Sequence, residues 1–314
     1  MTEEQALESH GAGQELQSHG KHSEALEYFQ RASEYFNAVE GPDSLDRANV
    51  LSDTAESLLA LCRYADAERV AGEAKSTVEK VKDLLDPETR RTLLPHALGV
   101  WGQTLRELGR YQDAAQPALE ALHEAEAGFG AESPEIVPHL NNYGVLCKYW
   151  GKFDEGEQAY RRALRLLENQ FGKESPETAT LYHNLGGLAH ARGDFAAGEP
   201  VARKAYEIRR RQLGEEHEAV IADAVAWGGL LDGLGRFDES VPIYRRALAY
   251  YESHLGADHF EVAATLNNLG LARAEQGFAD EGRALLERSL AIKRKLFAEH
   301  HPEVRMTRQS LSHL

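Results

Sequence analysis

Cysteine is almost absent. Cys62 and Cys147 are the two cysteines in 314 residues, with no close spacing between them. Neither a disulfide framework nor a cysteine-based zinc site is available, and a reducing cytoplasm fits. Long apolar runs are missing too. No stretch of 18 apolar residues occurs, so no segment is expected to span a bilayer. The opening Met1-Thr2-Glu3-Glu4-Gln5 is acidic and lacks the basic-then-apolar order of a signal peptide. Positive charge is in short supply: 35 Lys and Arg face 51 Asp and Glu, a formal net charge of −16. Sequence-independent binding to nucleic-acid phosphates runs on clustered positive charge and is not expected. Docking on an anionic membrane surface is not expected either. Strand-like alternation is lacking at any length, which points to an all-α fold.

What is there is a repeat. Leu140-Asn141-Asn142-Tyr143-Gly144, Tyr182-His183-Asn184-Leu185-Gly186 and Leu266-Asn267-Asn268-Leu269-Gly270 are versions of one phrase. Their glycines lie multiples of 42 residues apart; Gly228 fills the gap and Gly102 extends the series upstream. Gly13 and Ala55 are again 42 apart, but Ala55 to Gly102 takes 47, so five residues are inserted there. Seven repeats follow, 1–42, 43–86, 87–131, 132–173, 174–215, 216–257 and 258–299, in a single domain over 1–314. Residues 300–314 are expected to form a C-terminal cap, the start of an eighth first helix with Ser312 where the glycine would stand.

A second mark follows the first by seven: Gly20, Cys62, Gly109, Gly151, Gly193, Gly235 and Gly277. Two columns of small residues come after it. One is Ala25, Ala67, Ala114, Gly156, Gly198, Ser240 and Gly282; the other, seven on, is Ala32, Ala74, Ala121, Ala163, Ala205, Ala247 and Ser289. Columns seven apart share a helix face, and small side chains there let two helices approach closely.

Each repeat therefore reads as two helices around a turn. In the fourth, Ser133 is a plausible N-cap, with Pro134 at the first helical position and Glu135 near the positive end of the dipole. The first helix runs to about Trp150, Gly151 makes the turn, and the second starts around Asp154. The five inserted residues fall near Val78 to Arg90. Together with Pro95 inside a helix, they predict a longer, kinked helix pair and a local change in stacking.

These residues carry a family resemblance. Leu-Asn-Asn-Leu-Gly at 266–270, Gly-Arg-Phe-Asp-Glu at 235–239, Tyr-Arg-Arg-Ala-Leu at 244–248 and His301-Pro302-Glu303-Val304 resemble the 42-residue tetratricopeptide repeat of the kinesin light chain type. The first two repeats depart from it, with His22 for the turn aromatic, Cys62 for the turn glycine and Ala55 for the helix glycine; Ala279 departs in the seventh. The resemblance implies a right-handed all-α solenoid of seven helix-turn-helix units, acting in protein–protein interaction. It also implies a concave groove, lined by the first helices, for a partner's peptide segment. Contact positions in such grooves lie at minus six, minus three, minus two, plus one, plus four and plus five from the helix mark. Among them stand Arg106, Asn141, Asn142, Lys148, Tyr149, His183, Asn184, His190, Asp232, Asn267 and Asn268.

Asn142, Asn184 and Asn268 share one column. An amide offers both an acceptor and donors, so Asn142 and Asn184 are expected to pair with an extended peptide backbone; capping or bridging of neighbouring repeats is the other reading. Repeat six presents small and apolar groups, Ala222, Val225, Ala226 and Gly229, which suggests a pocket for an apolar anchor. Of the 14 histidines, His217, His259 and His301 recur at the repeat spacing and read as structural. Lys148, His190 and Asp232 occupy one column, which outlines either general-base chemistry on a small molecule or an inter-repeat charge ladder. No HExxH, GxSxG or phosphate-binding glycine loop supports an active site. Neither catalysis nor a metal or other cofactor is expected.

Overall fold

Every repeat folds into two helices whose ends are set by its own punctuation. In the computed structural model, which describes residues 1–299 and 301–314, residue 300 at the start of the expected cap lies outside the described residues. The first helices are α1 Glu3–Ser18, α3 Leu45–Ala60, α5 Pro87–Glu107, α7 Val137–Trp150, α9 Pro176–Arg192, α11 Glu218–Gly233 and α13 Phe260–Glu275. The second helices are α2 His22–Val39, α4 Tyr64–Val81, α6 Tyr111–Phe129, α8 Phe153–Phe171, α10 Phe195–Leu213, α12 Phe237–Leu255 and α14 Ala279–Leu296, and α15 Pro302–Ser312 follows. The fold is an all-α solenoid of helical hairpins; among the described residues there is no strand and no helix long and apolar enough to cross a membrane.

First helices start at side-chain caps. Thr2, Ser44, Asp86 and Ser175 accept from backbone N–H groups of the first turn, which otherwise have no partner. The recurring histidines do the same. His217, His259 and His301 accept through Nδ1 from Ala219, Glu261 and Glu303 N–H at 3.2, 3.2 and 3.3 Å. Ser133 differs from expectation. Its hydroxyl turns to the Glu135 carboxylate, it caps no helix, and a 3-10 turn over Pro134–Ile136 precedes α7. The inserted residues also act differently from a lengthened pair. α4 keeps 18 residues, like α2 and α14, and α5 takes the whole extension, reaching 21 residues with Pro95 inside it.

Both small columns are buried in all seven repeats, where the two helices of a hairpin meet. Tyr160 and Tyr244 lead the fully buried large side chains, followed by Phe29 and Phe36. The chain divides into two compact units, Met1–Leu166 and Leu167–Leu314. In the first, α1 packs on α3, α3 on α5 and α5 on α7; in the second, α9 packs on α11 and α11 on α13. The second helices pack instead on the first helix of the next repeat: α2 on α3, α4 on α5, α6 on α7, α10 on α11, α12 on α13 and α14 on α15. Direct contact between successive first helices makes their side the inner face of each unit.

Candidate functional site

On the first unit's inner face, α7 presents its partners in alternation. Leu140, Gly144, Leu146 and Cys147 are buried, while Asn141, Asn142 and Lys148 are partly exposed and Tyr149 is exposed. Tyr149 is stacked on Tyr111, ring centroids 6.4 Å apart at 14°, and the Lys148 ammonium lies 4.7 Å from the Tyr149 centroid. Burial, then the neighbouring Arg106 charge, holds Lys148 below the ordinary lysine pKa. Arg106 pairs with Glu107 on its own helix at 2.7 Å. With Gln103, His139 and Asn142 it borders a cavity of about 10 Å³, the room of one water.

In the second unit, His183 Nδ1 and Arg209 Nη1 both reach Asp223 Oδ1 at 2.7 Å. Arg209 Nη2 also donates to Thr180 at 2.7 Å. Asp223 is wholly buried, and sequence reading passed it over because it lies off the groove offsets. Asn184 is partly exposed and His190 exposed; the His190 ring stands edge-on to Phe195 at 5.5 Å. Asp232 is engaged within its own repeat, accepting from Ser240 Oγ at one oxygen and from Tyr244 OH, at 2.6 Å, at the other. Burial raises its pKa against those hydrogen bonds and the His190 charge. Asn267 accepts from Thr307 of α15 at 2.9 Å, and Thr307 in turn contacts the buried Lys293 at 3.0 Å, so Asn267 helps seat the cap. Asn268 is partly exposed beside it.

The cavity at repeat six is not on the inner face. About 230 Å³ in volume, it lies between α10, α11 and α12 and is lined by Tyr206, Ile221, Ala224, Trp227, Pro242 and Ile243 among others. The inner-face positions Ala222, Val225, Ala226 and Gly229 do not border it.

A third cluster escaped the sequence reading. His10, Asp53, Glu56 and His96 meet across α1, α3 and α5, with His10 Nε2 2.6 Å from Asp53 and His96 Nε2 3.5 and 3.6 Å from Asp53 and Glu56. They stand at minus three, minus two, plus one and minus six from Gly13, Ala55 and Gly102. His96 already falls at a groove offset of the third repeat, and extending the offsets to the two irregular repeats would have found the other three. Burial opposes charge on His96, but Glu56 and Asp53 outweigh it and hold the imidazole above its ordinary pKa.

Family models described as tetratricopeptide repeat match residues 9–80, 135–211, 177–253 and 261–314, and a further one matches 97–135. The chain belongs to the tetratricopeptide repeat family. No curated protein matches this tetratricopeptide repeat chain. Among solved structures it is similar to BtubC (BKLC) from P. vanneervenii, with 24% identity, 75% of this chain and 93% of that one covered, and a TM-score of 0.60. A candidate kinesin light chain of Podosopora anserina with nearly identical TPR-like repeats matches at 18% identity over 67% of this chain and 98% of the other, TM-score 0.54. The Rap conjugation gene regulator of the plasmid pLS20, solved in complex with a Phr peptide, matches at 14% identity over 91% and 73%, TM-score 0.64. At these identities the likeness is one of fold.

Proposed function

We propose that the chain is a protein-interaction scaffold that holds an extended partner segment on the first-helix face of one of its units. The observation that carries this is the asparagine column. Asn142 and Asn268 stay partly exposed on helices that bury Leu140, Gly144 and Leu146 in one case and Leu266, Leu269 and Gly270 in the other, and each amide can donate to and accept from a peptide backbone whatever its side chains are. Exposed Tyr149, backed by Tyr111, adds a flat surface for an apolar side chain. The Rap regulator solved with a peptide supports the same use of this fold. We favour this over the acid–base alternative at Lys148, His190 and Asp232 because both Asp232 oxygens already accept from Ser240 and Tyr244 of their own repeat. Fold alone does not assign function, so the test is direct.

A random peptide display library is selected against the immobilised full chain, and the enriched peptide is titrated onto wild type, Asn142→Ala and Asn268→Ala. Each lost hydrogen bond costs about 0.5–1.5 kcal/mol net, with more for the partner group left unpaired. One of the two variants should therefore bind about ten-fold more weakly, with a melting temperature within about 2 °C of wild type. Weakening by Asn142→Ala assigns the segment to the first unit, and by Asn268→Ala to the second. Full affinity in both variants, or no enriched peptide, overturns the proposal.

A further inference from the structure

The cluster on α3 and α5 has the geometry of a metal site. We propose that Asp53, Glu56 and His96 bind a divalent first-row transition ion of the zinc class. His96 Nε2 lies 3.5 Å from Asp53 Oδ1 and 3.6 Å from Glu56 Oε1. These distances are too long for hydrogen bonds, which a histidine placed to bridge two carboxylates would close to about 2.7–3.2 Å. They suit ligands around one ion. With metal–ligand distances of about 2.0–2.2 Å in a tetrahedron, ligand atoms stand roughly 3.3–3.6 Å apart. One donor atom from each residue lies within 4.8 Å of the other two.

The outer contacts make the second, independent case. The carboxylate oxygens turned away from His96 are held by α1. Asp53 Oδ2 accepts from His10 Nε2 at 2.6 Å and Gln14 Nε2 at 2.8 Å. Glu56 Oε2 accepts from Gln17 Nε2 at 3.3 Å, and Gln17 also donates to the Asp53 backbone carbonyl at 3.2 Å. Residues 10, 14 and 17 lie on one face of α1, and residues 53 and 56 on one face of α3. One helix thus fixes the non-ligating oxygens, leaving Oδ1 and Oε1 facing the imidazole. Metal-binding carboxylates are oriented in this way.

Charge and access agree. Two carboxylates and a neutral imidazole balance a doubly charged ion. One nitrogen and two oxygens suit zinc, cobalt or manganese rather than a soft monovalent ion. The Asp53 side chain is 7% exposed, whereas His96 and Glu56 are 31% and 35% exposed. The site is closed at its base and open toward solvent, where water completes the coordination. The ion ties α3 to α5 across the boundary that carries the five-residue insertion.

The test uses the untagged full chain, stripped with chelator and titrated with Co2+ as a visible probe. Wild type should take up one equivalent with the d–d absorption of a four-coordinate ion, and Zn2+ should bleach it. His96→Gln and Glu56→Gln, both at partly exposed positions, should each weaken binding by about 100-fold or more. Gln17→Ala, which touches only the outer oxygen, should weaken it about ten-fold. His217→Ala, a helix cap in the other unit, should leave it unchanged. Circular dichroism checks that each variant is folded, and Zn2+ should raise the melting temperature of wild type but not of Glu56→Gln. Absence of a stoichiometric band in wild type, or a band of full affinity in folded Glu56→Gln, overturns the site.

Discussion

A Cβ added to Gly144 would stand 2.5 Å from the ring of Tyr160, and one added to Gly228 would stand 2.9 Å from Tyr244. Gly13 meets Phe29 in the same way, at 2.5 Å. Each pair is sixteen residues apart, one side chain from each helix of a hairpin. At Gly102 the constraint relaxes, the nearest atoms, on Ala114 and Ala118, lying 3.4–3.5 Å away, although at Gly186 the equally small Ala202 stands 2.8 Å off. Ala55 already replaces the glycine opposite Ala71. Gly144→Ala should therefore cost about 1–3 kcal/mol by overpacking the fully buried Tyr160 ring. Gly102→Ala should be neutral or stabilise by up to about 1 kcal/mol, because alanine is the better helix former. Urea unfolding of the two variants checks this, and equal effects would show that the aromatic partner does not set the requirement. The glycine column was legible in the sequence as a period. Its cause was not, because the cause is a contact between two helices.

At the scale of the element, the turns show where local sequence decides. Among the described residues eleven glycines at helix ends and turns take a positive φ, and they include six of the seven second marks, among them Gly151 at +78°. The seventh is Cys62, at φ +57° and the one non-glycine residue in this conformation among the described residues. A left-handed conformation costs an L-residue about 1–2 kcal/mol, partly offset by the freedom glycine adds to the unfolded chain. The thiol also has a neighbour: a hydrogen bond to it, then burial, pushes the Tyr64 hydroxyl up to about 12. Cys62→Gly should still stabilise the turn between α3 and α4 by about 0.5–1 kcal/mol net. A lower melting temperature in that variant would mean that the thiol contact outweighs the strain. The helix starts at Pro87 and Pro176 were equally legible, since a capping Asp86 or Ser175 precedes a proline. Ser133-Pro134 carries the same signal, yet its hydroxyl turns to Glu135 and a 3-10 turn forms. Side-chain competition of that kind leaves no mark in a residue pattern.

At the scale of the molecule, the 42-residue period made the hairpin order readable almost throughout, because each repeat buries its face only against its neighbours. The polar clusters were much less readable. Asp53 meets His96 and Asp223 meets His183 from about 40 residues away, and a motif confined to one helix cannot contain both partners. The same architecture localises damage. Asp223 is wholly buried, its Oδ1 is shared by Arg209 and His183, and its Oδ2 has no hydrogen-bond partner among the described residues. Arg209→Met removes the permanent cation, and stranding a buried carboxylate costs about 3–5 kcal/mol. Since α10 packs on α9 and α11, the loss should appear first as faster amide exchange in α9, α10 and α11. Helices α1 to α4, several interfaces away, should keep wild-type protection, as expected when a solenoid opens in local cooperative units. Hydrogen exchange read by mass spectrometry resolves the two regions. A uniform fall in protection along the chain would instead show that all seven hairpins unfold as one unit, and that nearest-neighbour contacts do not set the stability of this array.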